Sequence, residues 1–193
     1  HKTVNFVAKT YRNLKRKFFN IDKKKILLKI FELNPEIKFD LKKVVFFDHH
    51  EMHALSHRYF KNTDKNNYII FTMDGEGDNL SSTVNIFKKG EIENISKNSN
   101  DHSIGYFFAE TTKSLGLKAF EHEFKVMGMA PYSAIEDVNR ILKNLDNLIF
   151  LGNDGKFYSK VVSSLFKYEI DKIFNYEKFE NICGAAQVFT ENL

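Results

Sequence analysis

Apolar positions recur along this chain with two different periods. Ile26, Leu27, Ile30, Phe31 and Leu33 recur at helical spacing and Pro35 follows as a stop, which predicts a helix over 22–33. Another helix is expected over 3–20. Val44-Val45-Phe46-Phe47 is a short continuous apolar run, the pattern of a buried strand. Asp48 is then placed to cap a helix over roughly 49–61. Tyr68 to Met73 predicts a second buried strand, ending in Asp74-Gly75-Glu76-Gly77-Asp78. Thr83 to Phe87 and Glu91 to Ile95 alternate about Lys88-Lys89-Gly90, which predicts a hairpin. Ser103 to Leu115 reads as a helix ended by Gly116. Residues 123–132 read as a loop punctuated by Gly128 and Pro131. Ala134 to Leu145 reads as a helix and Asn153 to Lys156 as a turn. Tyr176 to Leu193 reads as a helix that stops without a cap. Its apolar positions Ala186, Val188, Phe189 and Leu193 are expected to pack on a part of the domain that lies outside this sequence. Strand, helix, strand, hairpin and helix in that order is an α/β pattern.

Composition narrows the class. The chain has 193 residues, 42% of them hydrophobic, which suits one domain or most of one and excludes global disorder. Residues 1–43 carry thirteen Lys and Arg against four Asp and Glu, and the other 150 carry sixteen against twenty-one. Such a basic arm fits nucleic acid or a membrane surface, but no groove-reading or RNA-binding motif accompanies it. A solvated basic helical segment over 1–43 is therefore expected, with no nucleic-acid partner. The single cysteine, Cys183, gives no disulfide framework and sits in an apolar helical pattern as a core residue. No apolar run reaches the ~20 residues of a membrane span, and a cytoplasmic location is the default expectation. The chain starts at His1 rather than Met, and its last helical pattern breaks off, so a truncated chain is expected.

Three clusters carry candidate chemistry. Four of the seven histidines fall between 49 and 57. His49 and His53 are four apart, on one helix face, where two imidazoles can bind one metal ion. His57 continues that face and His50 points elsewhere. A polar helix that happens to be His-rich is the bland alternative. The metalloprotease pattern H-E-x-x-H is excluded, because His50-Glu51-Met52-His53 is one residue short. The second cluster is Asp74-Gly75-Glu76-Gly77-Asp78. Its glycines let backbone N–H groups approach phosphates and its strand-end carboxylate can hold a metal or its waters. An ordinary hairpin turn explains the same residues. The third is Glu123 to Tyr132, where Lys125 beside Gly128 either meets a phosphate or is a plain surface lysine.

In order, D-H-H-x-x-H-A, D-G-x-G-D-x-x-S-S, S-I-G-Y-F-F-A-E-T-T-K-S-L-G and K-V-M-G-M-A-P-Y resemble the carbamoyltransferase family, from about Val44 to Tyr132. That family includes nodulation-factor and antibiotic O-carbamoyltransferases and shares its metal-bearing domain with tRNA threonylcarbamoyltransferases. The resemblance implies an actin/hexokinase-like (ribonuclease H-like) domain, incomplete here, spanning 1–193. It implies iron or another divalent metal at His49 and His53, with a further Asp ligand beyond Leu193. It implies an ATP-derived carbamoyl-adenylate held by Asp74, Gly75, Gly77, Asp78, Lys125 and Gly128, with Lys125 catalytic. The implied partners are carbamoyl phosphate, ATP, a small-molecule hydroxyl acceptor and the remaining C-terminal part of the same polypeptide. The implied reaction is O-carbamoyl transfer, with this chain alone expected to be inactive. tRNA threonylcarbamoyl transfer and a non-catalytic nucleotide- or metal-binding module are the alternatives.

Overall fold

The computed structural model describes residues 23–33, 35–36, 40, 43, 45–60, 67–146 and 148–193. The chain divides into two compact units, residues 1–47 and 48–193. In the first, helix α1 spans Lys23–Leu33, close to its sequence-predicted bounds, and Pro35 follows in a turn. The helix expected over 3–20 lies outside the described residues. The strand expected at Val44–Phe47 is not formed in its described part. Val45, Phe46 and Phe47 have no regular structure and are exposed. Apolar β-propensity makes a strand only where a second strand takes its backbone hydrogen bonds, and none of the described strands pairs with this run.

The second unit opens on helix α2, His49–Phe60, with Asp48 as its cap: the Asp48 carboxylate accepts from the Glu51 N–H at 3.0 Å. Strands β1 (Tyr68–Gly77), β2 (Leu80–Lys88) and β3 (Glu91–Ser99) form an antiparallel meander in sequence order. Two-residue turns join them. Asp78 and Asn79 both sit at positive φ between Gly77 and Leu80, which are paired. Lys89 and Gly90 do the same between Lys88 and Glu91. Turns of this hand match the twist of the flanking strands, so the D-G-E-G-D segment is a hairpin in its backbone.

β1 is not the fully buried strand its composition predicts. Thr72 is buried, while Ile69 is 76% exposed and Phe71 and Met73 are also exposed. The cause is a sheet covered on one face at β1, where α2 lies against β1 and β2. The run Tyr68–Met73 is apolar on both faces, so its period hides the half-covered state.

The main core lies beyond the sheet. Helices α3 (Ile104–Ser114), α5 (Ile135–Leu145), α6 (Phe166–Ile173) and α7 (Phe179–Glu191) enclose it with the short hairpin β4 (Ile149–Leu151) and β5 (Phe157–Ser159). Phe107, Ile141, Leu145, Ile149, Phe166 and Ile170 are fully buried there. Ser103 caps α3, its hydroxyl accepting from the Tyr106 N–H. The turn at Asn153–Lys156 joins β4 to β5 as expected.

Two further expectations change. Residues 123–132 are not a loop: α4 spans Glu123–Met129 and a 3-10 turn spans Ala130–Tyr132. Val126 is fully buried and anchors α4, and Pro131 falls in the first turn of the 3-10 segment, where its missing N–H costs nothing. The apolar face of α7 does not wait for an outside partner either. Ala186 and Phe189 are buried in the main core, with Val188 and Leu193 packed against it. α7 begins at Phe179 rather than Tyr176, and the Asn192 N–H closes its end on the Val188 carbonyl. Gly184 makes that packing possible. A Cβ there would fall 2.1 Å from the Ser133 hydroxyl oxygen. Cys183 beside it is buried, as expected, and burial pushes its thiol up to about 11.

Candidate metal centre

α2 and β1 meet at three side chains. One helical turn separates His49 from His53, and their Nε2 atoms stand 3.0 Å apart with the rings edge to face at 80°. Asp74, near the end of β1, brings Oδ2 to 2.7 Å from His49 Nε2 and 3.4 Å from His53 Nε2. Its other oxygen accepts from the Gly75 N–H at 2.6 Å. Asp78, at positive φ in the β1–β2 turn, accepts from the His49 backbone N–H at 2.9 Å. The turn thus caps the first residue of α2 and locks helix to hairpin.

Gly77 is required by sterics. A Cβ on it would lie 1.9 Å from His49 Cδ2 and 2.3 Å from Cγ. The imidazole occupies the space a side chain would take. Side-chain exposures of 39%, 49% and 40% for His49, His53 and Asp74 leave the cluster open to solvent on one side. Burial pulls the Asp74 carboxyl up, but hydrogen bonds from His49, the Gly75 N–H and His53 outweigh it. The net effect holds Asp74 below the usual carboxylate range.

The cluster fits a metal ion. Donors about 2.0–2.2 Å from one ion stand roughly 2.8–3.6 Å from each other at right-angled or tetrahedral geometry. The separations of 3.0 and 3.4 Å fall in that range, and the 2.7 Å between His49 Nε2 and Asp74 Oδ2 lies just below it. Two imidazoles and one carboxylate with open positions are the donor set of a non-haem iron(II) site, and suit zinc as well. The sequence offers Asp74 as a strand-end carboxylate able to hold a metal or its waters and places it with the nucleotide residues; the structure sets it beside the two histidines as a third candidate donor.

Beneath α2 the sheet face is polar. Asn94 Nδ2 donates to Asn85 Oδ1 at 2.8 Å, and Asn85 Nδ2 donates to Thr83 Oγ1 at 2.8 Å. Thr83 and Thr72 hydroxyls are 2.7 Å apart, and Thr72 Oγ1 is 2.9 Å from His50 Nδ1. The direction that gives each hydroxyl proton an acceptor runs Thr83 to Thr72 to His50 Nδ1. His50 then carries its proton on Nε2, which has no hydrogen-bond partner among the described residues. His50 is fully buried, its ring edge-on to His49 with centroids 5.3 Å apart. The sequence reading turned His50 away from the metal face, as found, but did not see this network.

The family model for the carbamoyltransferase N-terminus matches residues 1–192. The chain belongs to this family. An uncharacterized protein of Methanocaldococcus jannaschii is 32% identical over 160 residues, 79% of this chain and 30% of that protein. Nodulation protein NolO of Bradyrhizobium diazoefficiens is 36% identical over 85 residues, 44% of this chain and 15% of the relative. Nodulation protein NolNO of Sinorhizobium fredii is 34% identical over 93 residues, 48% of the chain and 13% of the relative. The chain therefore spans less than a third of the length of each.

Within this carbamoyltransferase N-terminal chain, the motif residues divide into two groups. His49, His53, Asp74, Gly75, Gly77 and Asp78 come together where α2 meets the β1–β2 hairpin. Lys125 and Gly128 sit apart on α4, which packs mainly on α7 and α3. Both are exposed, and Lys125 Nζ lies 5.8 Å above the Phe124 ring. The His57 side chain lies outside the described residues. No helix among the described residues is long and apolar enough to cross a membrane.

Proposed function

We propose that this chain supplies the metal- and nucleotide-binding part of an ATP-dependent O-carbamoyltransferase with an actin-like fold. Its donor is a carbamoyl-adenylate and its acceptor a hydroxyl on a small molecule. The reading is carried by one observation: in a chain of the carbamoyltransferase family, His49, His53 and Asp74 converge to within 3.4 Å. In the reaction, the bond from the carbamoyl carbon to the adenylate phosphate oxygen breaks. A bond to the acceptor oxygen forms, the hydroxyl proton leaves, and AMP departs with the electron pair. Negative charge grows on the carbonyl oxygen and on the leaving phosphate. An iron or other divalent ion, when bound, supplies Lewis-acid stabilisation of such oxygens.

The chain's own residues do the rest. His49, His53 and Asp74 would hold the ion, oriented by the Asp78 contact to the His49 N–H and by the space left at Gly77. Gly75 leaves the strand backbone bare of a side chain where a phosphate approaches, and Gly77 makes room for the His49 ring beside it. Lys125, exposed on α4, is the cation assigned to that phosphate, with Gly128 one turn further along the same helix. The open side of the cluster admits the reacting carbonyl.

The test uses the protein and its His49→Ala/His53→Ala variant. Iron, zinc and manganese contents are measured, and carbamoyl transfer from ATP and carbamoyl phosphate to hydroxyl acceptors is assayed in the full-length parent carrying the same changes. About one equivalent of metal, lost in the variant together with turnover, is expected. Equal metal content in the two proteins refutes the reading.

A further inference from the structure

Phe120 holds a conformation that a bulky side chain avoids. Its φ is +66°, in the left-handed region, where the Cβ of an aromatic residue is crowded. Nothing about burial demands this, because Phe120 is 70% exposed. The residue is nevertheless fixed from both sides. Its N–H donates to the Glu123 carboxylate at 2.5 Å, and its ring meets that of Tyr106 edge to face, centroids 6.0 Å apart at 84°. Tyr106 is itself held by its hydroxyl, which donates to Glu76 at 2.6 Å. Backbone strain of this kind persists only where the surroundings over-determine it, and it concentrates at ligand sites.

Position decides what the ring is for. Phe120 Cε1 lies 4.0 Å from the point where a Cβ on Gly75 would stand, and Gly75 is the residue after Asp74. Glu76, which holds Tyr106, is the next residue again. The two aromatic rings therefore flank the segment of β1 that presents Asp74 to the histidines. An exposed aromatic face beside a phosphate-compatible glycine turn is a stacking surface for a planar ring.

We propose that Phe120, braced by Tyr106, is the stacking platform for the nucleobase of the nucleotide that this chain binds. The proposal deepens the nucleotide reading given above and rests on it. The base lies on the Phe120 ring, and the phosphates extend past Gly75 towards the His49, His53 and Asp74 cluster. Strain at Phe120 is retained because the left-handed backbone turns the ring out over Gly75.

The probes are AMP and ribose 5-phosphate, titrated by calorimetry into the protein and into its Phe120→Gly, Phe120→Asn and Phe120→Tyr variants. Gly and Asn both tolerate the left-handed region. Neither change therefore threatens folding, and Phe120→Gly is expected to melt at or above the wild-type temperature. AMP affinity is expected to fall roughly 5- to 150-fold in both, the range of one lost base stack. Phe120→Tyr is expected to keep AMP affinity within about twofold, a difference too small to count as a lost base stack. Ribose 5-phosphate, which has no base, is expected to bind all four proteins alike. Unchanged AMP affinity in Phe120→Gly overturns the platform alone. Wild-type protein that binds neither probe overturns the nucleotide reading and the platform with it.

Discussion

Replacing Gly77 by alanine adds a single methyl group at the tightest point between α2 and the hairpin. The new carbon would start 1.9 Å from His49 Cδ2, and ordinary van der Waals contact begins near 3.4 Å. Something must retreat by the difference, about 1.5 Å. Cγ, at 2.3 Å, is the root of the imidazole rather than its tip, so the whole ring must swing. A shift of that size takes His49 Nε2 from 2.7 Å to beyond hydrogen-bonding distance of Asp74. The lost hydrogen bond costs about 0.5–1.5 kcal/mol, and holding the ring off its rotamer costs a similar amount. Together these correspond to roughly 3–10 °C in melting temperature for a unit of this size. The effect on a bound ion is larger. Disturbing a residue that merely orients a ligand costs about 10- to 100-fold in affinity. Displacing the ligand itself should cost at least ~100-fold, the upper end of that range. The assay is titration with cobalt(II), followed by its visible absorption, alongside a thermal melt. A Gly77→Ala protein that binds cobalt within threefold of wild type refutes the account of His49 as a ligand held by this contact.

Three further outcomes are expected. Thr72→Val keeps the shape of the buried side chain but strands His50 Nδ1 and the Thr83 hydroxyl. It should cost about 1–3 kcal/mol in urea unfolding, with Thr72→Ser recovering most of it, and a cost below about 0.5 kcal/mol would dismiss the relay. Hydrogen bonding to Arg140 is the main cause that holds Asp137 below the usual carboxylate range. A carboxyl depressed in the folded state stabilises above its unfolded pKa, near 3.9, and loses that contribution as pH falls through the folded value. The urea midpoint should therefore drop more steeply between pH 4.5 and pH 2.5 in wild type than in Asp137→Asn, and parallel curves would remove Asp137 from the acid transition. Cys183, buried with its thiol pushed up to about 11, should react with a maleimide at pH 8 only after unfolding. Native-state labelling at the rate of a free thiol would contradict that burial.

Local chemistry was legible along the chain. Asp48 caps the helix expected of it, the helix expected from Ser103 starts there, Lys89-Gly90 turns the hairpin, and Cys183 is in the core. Each of these depends on residues within about four positions. What escaped depends on partners far away. Val45–Phe47 has the composition of a strand, but a strand exists only through its neighbour. The Gly128 and Pro131 punctuation suggested a loop, whereas Val126 is held in α4 by burial against residues such as Cys183. The juxtaposition of His49 and His53 was readable from their i,i+4 spacing. That Asp74 joins them was not, because it is twenty-five residues from His49 and meets it only through the packing of β1 on α2. His50 looked idle for the same reason, since its partner Thr72 lies twenty-two residues on.

The uncovered face of β1 gives Asp74 a second job. Tyr68-Ile69-Ile70-Phe71-Thr72-Met73 has no charge and no proline, and β1 pairs only with β2 among the described strands. A window of that composition at a sheet edge is a template for strands from other molecules, as in amyloid-like stacking. Asp74 is the first charge after it, the position of a gatekeeper that breaks such stacking by repulsion between like residues. Neutralising Asp74 removes a candidate ligand and a gatekeeper in the same stroke, so an insoluble Asp74→Asn protein speaks of self-association and not of metal. Gly77→Ala leaves the charge in place, and so separates the two.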